Sequence, residues 1–126
     1  MAKKIVILAI DDDSDVLNAL RIILEANGFE MVEAYSAEEG LIKYKESNPD
    51  FILVDLMMEE VDAGLNFVRE IRCLNNKAPI YMLSSVGDSL TQNTSYTELG
   101  LDGVLQKPVD NKTLLRIIQT RIKPRG

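Results

Sequence analysis

The chain is predicted to adopt a doubly wound α/β fold, a five-stranded parallel sheet with five helices distributed over its two faces. Three observations predict it. Short aliphatic and β-branched runs alternate along the chain with longer stretches in which apolar residues recur at helical spacing. The connections are short and punctuated by single Gly and Pro residues. The apolar runs, above all Ile5 to Ile10, lack the polar alternation of a half-exposed strand, so both of their faces must be covered.

Each element has its own justification. Ile5 to Ile10 is six consecutive apolar residues, too few for a typical helix, and forms the first strand. From Ser14, the residues Val16, Leu17, Leu20, Ile23 and Leu24 recur at helical spacing, and Gly28 supplies the residue that tolerates a left-handed cap. The second strand spans about Met31 to Tyr35. Ser36 with Glu39 three residues later makes a capping box that opens a helix ending before Pro49. Phe51 to Val54 is the third strand, Leu65 to about Leu74 the third helix, and Ile80 to Leu83 the fourth strand. The stretch from Asp88 to Leu99 is a weaker helix closed by Gly100, because its Ser, Thr, Asn and Gln residues lower helix propensity. The fifth strand lies near Gly103 to Gln106. The fifth helix runs from about Asn111 to Ile122, with Leu114, Leu115, Ile117, Ile118 and Ile122 on one broad apolar face.

Composition bounds the function. The 126 residues suit a single domain over 1–126 with its core at about 4–123. A hydrophobic content of 46% excludes the class of chains that stay disordered. With 14 basic against 20 acidic residues the net charge is −6, which repels a nucleic-acid backbone. Cys73 is the sole cysteine, so an internal disulfide is excluded, and no apolar run is long enough to cross a bilayer. These features fit a cytoplasmic chain. Histidine is absent, which removes imidazole bases, His-ligated metals and a phosphohistidine carried by the protein itself.

In a doubly wound sheet, ligands bind outside the carboxyl ends of the strands. Asp11, Asp12 and Asp13 follow the first strand, Asp55 the third, Ser84 and Ser85 the fourth, and Lys107 and Pro108 the fifth. Each alone has a structural explanation. Asp13 and Ser14 suit the N-cap of the first helix, Asp11 and Asp12 suit a solvated turn, and a single lysine is usually a surface residue. Jointly they describe a site for phosphoryl transfer. Two carboxylates 4 Å apart repel by about 4 kcal/mol at an effective dielectric near 20, so converging acids call for a cation. Magnesium, which takes one or two carboxylates with phosphate oxygens, matches the oxygen inventory. Lys107 can hold a carboxylate or phosphate oxygen, Ser84 can donate to one, and Asp55 is the natural nucleophile for an acyl phosphate. Cys73, Met57, Met58 and Met82 are expected to be packing residues.

The segments Ile10-Asp11-Asp12-Asp13, Leu53-Val54-Asp55-Leu56-Met57-Met58, Met82-Leu83-Ser84-Ser85 and Gln106-Lys107-Pro108 carry a specific likeness. Over Lys4 to Lys123 the sequence resembles the receiver domain of two-component response regulators. The resemblance implies a flavodoxin-like fold with strand order 2-1-3-4-5. It implies that Asp55 is the phosphoacceptor, Asp11 and Asp12 the magnesium-binding acids with Asp12 the direct ligand, Ser84 the switch hydroxyl and Lys107 the lysine of the family pattern. It further implies a metal contact from the Met57 carbonyl and a cis Lys107-Pro108 peptide. The implied partners are a sensor histidine kinase or a histidine phosphotransfer protein as donor, and an output domain or downstream protein. The face formed by the fourth helix, fifth strand and fifth helix is the place for signalling and for a homodimer. No membrane or direct nucleic-acid contact is expected, and no enzymatic turnover beyond the domain's own phosphorylation and dephosphorylation.

The sequence departs from that pattern at three places. Glu59 and Glu60 occupy the turn where receivers usually carry Pro and Gly, with Ala63 as an extra residue before Gly64. Val104 stands where the family has its switch aromatic, so a ring flip is not the output mechanism, and ordering of 88–99 is expected to replace it. The third departure is the polar composition of that same segment. Two other readings fit the residues less well. A haloacid-dehalogenase-type phosphatase fits Asp11 to Ser14 loosely, but it needs a late acidic pair that Gly87-Asp88 does not supply. A pseudo-receiver that only binds partners would not need every site residue.

Overall fold

The computed structural model describes residues 4–55, 63–84, 100–107 and 109–122. Along the chain these form β1 (Val6–Ile10), α1 (Ser14–Ala26), β2 (Glu30–Ala34), α2 (Ala37–Ser47), β3 (Phe51–Asp55), α3 (Ala63–Cys73), β4 (Ile80–Ser84), β5 (Gly103–Gln106) and α4 (Asn111–Arg121). The strands make one parallel sheet in the order β2-β1-β3-β4-β5. This is the flavodoxin-like order expected from the sequence. Four helices lie among the described residues, α4 being the fifth of the predicted series. The predicted helix from Asp88 to Leu99, the turn at Glu59 and Glu60, and Met57 and Pro108 lie outside the described residues.

Alternation along the strands divides the core into two layers. Ile7, Ala9, Phe51, Leu53, Tyr81, Leu83 and Leu105 face α1 and α4, where they pack on Leu17, Leu20, Leu24, Leu114 and Ile118. Leu8, Ile10, Ile52, Val54, Ile80 and Met82 face the other way, onto Phe67, Val68 and Ile71 of α3 and Leu41 and Tyr44 of α2. Burial on both faces is why β1, β3 and β4 read as continuous apolar runs.

The caps follow the sequence signals. Ser36 Oγ accepts from Glu39 N at 3.1 Å, while Glu39 Oε1 accepts from Tyr35 N at 3.3 Å, one residue before the N-cap. After α1, Gly28 takes φ +85°, and Phe29 N donates to Leu24 O at 3.0 Å to close the helix. Helix α3 begins two residues earlier than its apolar periodicity indicates, because Ala63 and Gly64 offer no large apolar side chain to mark the turn.

Side-chain contacts tie the helices to the sheet. Tyr81 stacks on Phe51 with ring centroids 5.3 Å apart, and Arg121 Nε donates to the Tyr81 hydroxyl at 2.9 Å. Gly103 leaves room for that ring, since a Cβ there would lie 2.5 Å from Tyr81 Cε2. On the far edge, Arg21 Nη1 donates to Glu25 Oε2 at 2.9 Å and to Met31 O at 3.4 Å, and Nη2 pairs with Glu33.

Candidate functional site

The sheet ends where its acids begin. Asp55 and Ser84 are the last ladder residues of β3 and β4, paired in register with Leu83 and Gln106, one residue further than the apolar runs indicate. Both are buried, with Asp55 at 5% exposure. Asp11 directly follows β1, and its N–H continues the ladder to Ala34 O at 3.1 Å. Lys107 follows β5, and its N–H donates to Ser84 O at 2.6 Å. With Ile10 in register with Val54, the ends of β1, β3, β4 and β5 are held side by side by the backbone ladder before any side chain is considered.

The side chains then converge. Lys107 Nζ donates to Asp55 Oδ2 at 3.0 Å and stands 2.7 Å from Asp11 Oδ2. Asp11 is wholly buried, and Asp12 is exposed. Asp11 Oδ1 accepts from Asp13 N at 2.9 Å, whereas Oδ2 is close enough to Lys107 for an ion pair but off the hydrogen-bonding angle. Burial raises the pKa of Asp11, and the charge of Asp55 adds to this. The adjacent Lys107 ammonium and the Asp13 amide oppose the rise without cancelling it. For Lys107 burial favours the neutral amine, but the adjacent carboxylates of Asp11 and Asp55 prevail and hold its pKa above the ordinary lysine value.

One carboxylate oxygen each from Asp11, Asp12 and Asp55 lie within 4.8 Å of one another. Together with the poorly satisfied, buried Asp11 Oδ2, this all-oxygen set suits a hard divalent cation such as magnesium. The predicted residues Asp11, Asp12, Asp55, Ser84 and Lys107 therefore share one edge of the sheet. Asp13, expected as a helix cap, does cap α1 through Oδ1 to Asp15 N at 2.9 Å. Its backbone contact with Asp11 was not foreseen. Val104, at the position of the family's switch aromatic, is half-buried against the α2 and α3 layer and pairs with Met82.

Residues 7–119 match the family model for the response regulator receiver domain. The chain belongs to that family. The receiver domain is 33% identical over 120 residues to the transcriptional regulatory protein PrrA of Mycobacterium tuberculosis, covering 95% of this chain and 51% of that protein. It is 34% identical over 121 residues to the response regulator MprA of Mycobacterium leprae, covering 94% of this chain and 52% of that one. The chain thus spans about half the length of these relatives. Among solved structures, it resembles a response regulator receiver domain protein from Clostridium thermocellum with a TM-score of 0.82 and 30% identity, over 94% of both chains. The chemotaxis protein CheY4 of Vibrio cholerae gives a TM-score of 0.82 at 28% identity, over 94% of this chain and 99% of that one. As a receiver domain of the two-component class it is a signalling module, and its Asp11, Asp12 and Asp55 cluster fits a phosphorylation site. Among the described residues no helix is long and apolar enough to cross a membrane.

Proposed function

We propose that this receiver domain takes a phosphoryl group from a phosphohistidine donor onto Asp55, with magnesium required, and acts as a switch rather than as an enzyme turning over a separate substrate. The observation that carries the reading is the meeting of the Lys107 ammonium with Asp55 and Asp11 at the carboxyl edge of the sheet. An oxygen of Asp55 attacks phosphorus as the N–P bond of the donor breaks, and the imidazole nitrogen keeps the bonding electron pair. Lys107 holds the carboxylate before the attack and a phosphoryl oxygen after it. The Ser84 hydroxyl donates to a second phosphoryl oxygen. Asp11, Asp12, Asp55 and the Met57 carbonyl would hold magnesium, with Asp12 in direct contact. When bound, the cation neutralises the clustered carboxylates and the incoming phosphoryl charge.

Residues 1–126 then act as a single domain in the cytoplasm, served by a sensor histidine kinase or a histidine phosphotransfer protein. The relatives' length and the name of PrrA favour an output module or downstream protein as the recipient of the signal. With a net charge of −6, this domain would not itself contact DNA. The face of β5 and α4 is where an output partner or a second copy would dock.

Incubation with acetyl phosphate followed by intact-mass measurement tests the reading. The wild type should gain one phosphoryl group with magnesium and none with a chelator, and Asp55→Ala should gain none. A phosphoryl group on Asp55→Ala would overturn the assignment. Failure of the wild type to bind beryllofluoride with magnesium would instead favour a pure interaction module.

A further inference from the structure

We propose that Asp13 is a positioning residue for the metal site, aiming the Asp12 carboxylate through the backbone rather than attracting the cation with its own charge. The proposal rests on the assignment of Asp11, Asp12 and Asp55 as magnesium ligands. Asp12 is exposed, so packing alone does not fix its direction. Its backbone is bracketed instead. On one side, Asp11 N donates to Ala34 O at 3.1 Å, which continues the sheet ladder through Asp11. On the other side, Asp13 is held at all three of its polar groups. Its N–H donates back to Asp11 Oδ1 at 2.9 Å, its Oδ1 accepts from Asp15 N at 2.9 Å, and its carbonyl accepts from Leu17 N at 3.2 Å.

The first of these bonds is an Asx-type turn that spans Asp12. It is also the aligned hydrogen bond to the Asp11 carboxylate, whose other oxygen has none among the described residues. The second bond holds Asp13 at φ −95°, ψ 109°, the extended conformation of an N-cap. Without the cap side chain the first turn of α1 is free to fray, and the N–H of Asp13 can turn away from Asp11. Asp12 would then lose its aim, and Asp11 would lose the donor that orients it. The helix cap and the carboxylate anchor are thus carried by a single residue.

The test compares magnesium affinity by calorimetric titration in wild type, Asp13→Ala, Asp13→Asn and Ser36→Ala. Asn caps as well as Asp, so Asp13→Asn keeps the geometry and discards the charge. Ser36→Ala removes the equivalent cap of α2, whose Oγ accepts from Glu39 N, and serves as a control for stability alone. A cap contributes about 1 kcal/mol, so full coupling to the metal would weaken Asp13→Ala by up to about fivefold. Asp13→Asn and Ser36→Ala should bind as the wild type does. In the metal-free protein, amide exchange at position 13 should accelerate in Asp13→Ala and not in Asp13→Asn. Equal weakening of Asp13→Asn and Asp13→Ala would show that charge acts, equal weakening of Ser36→Ala that stability acts, and unchanged affinity in Asp13→Ala that nothing is positioned. Each of these overturns the proposal. If the wild type takes up no magnesium, the ligand assignment itself fails and the proposal falls with it.

Discussion

The ammonium of Lys107 stands 2.7 Å from Oδ2 of Asp11, a carboxylate with no solvent exposure. Since the same ammonium also donates to Asp55, it offsets two buried acids at once. Replacing it with an uncharged side chain of similar length removes that positive charge from both. Lys107→Met should lose about 2–3 kcal/mol, less than a fully buried pair because Lys107 keeps some exposure. Added magnesium should restore part of the loss by binding only the folded protein. Urea unfolding at neutral pH with and without magnesium measures both; a metal-free variant as stable as the wild type would refute the prediction.

Asp11→Asn should act in the opposite direction. Burial holds the Asp11 pKa above its ordinary value despite Lys107. A carboxyl raised in this way costs stability in full above its folded pKa, and the cost vanishes once the pH falls below its unfolded one. At neutral pH the Asn side chain removes that cost while still accepting from Asp13 N. We expect a gain of about 1 kcal/mol, roughly 3–5 °C in Tm, for the metal-free protein, together with weaker magnesium binding. Thermal melts in chelator would show no gain if the charged form were not penalised.

On the α1–β2 edge, the Tyr35 hydroxyl and then Arg21 hold the Glu33 carboxyl below its ordinary value. Its contribution to stability is present above the unfolded carboxylate pKa and is lost as the pH falls through the lowered folded value. Tyr35→Phe should move the Glu33 titration back towards the ordinary range, as read by carboxyl NMR. The change in neutral-pH stability should be small because the Tyr35 hydroxyl lies at the surface.

Gly103 leaves the space that the Tyr81 ring fills. Gly103→Ala should cost about 1–3 kcal/mol through overpacking. In a Tyr81→Ala background most of that cost should disappear, and additive losses in the double-mutant cycle would place the strain elsewhere.

The residues two beyond Asp55 and two beyond Ser84 are Met57 and Val86, neither able to orient a water for in-line attack. Dephosphorylation should therefore be slow, with Met57→Asn or Val86→Glu hastening phosphate release. A wild-type lifetime of seconds would contradict this.

The sheet was legible because its signals are local and redundant. Apolar runs such as Phe51 to Val54 can be covered on both faces only inside a layered fold, and Ser36 with Glu39 marked a helix start that the structure forms. The site residues could be named because they lie at or just beyond the ends of the apolar runs. Their inequality was not legible. Asp11 and Asp12 are adjacent and chemically identical, yet one is wholly buried against Lys107 and the other is exposed, a difference set by where the ladder with Ala34 ends. The Arg121 contact with Tyr81 joins residues 40 apart, and no periodicity encodes it.

Strand β2 is the outer strand of the sheet, and in a parallel ladder alternate residues turn their backbone groups away from the neighbouring strand. Glu30 N donates to Ile5 O just before β1, so the backbone groups of Met31 point outward, and Arg21 holds the Met31 carbonyl while Glu25 and Glu33 fix the guanidinium. An extended segment of another chain would have to break this arrangement before it could add to the sheet. Arg21 therefore occupies a carbonyl on this edge that an added strand would need for pairing.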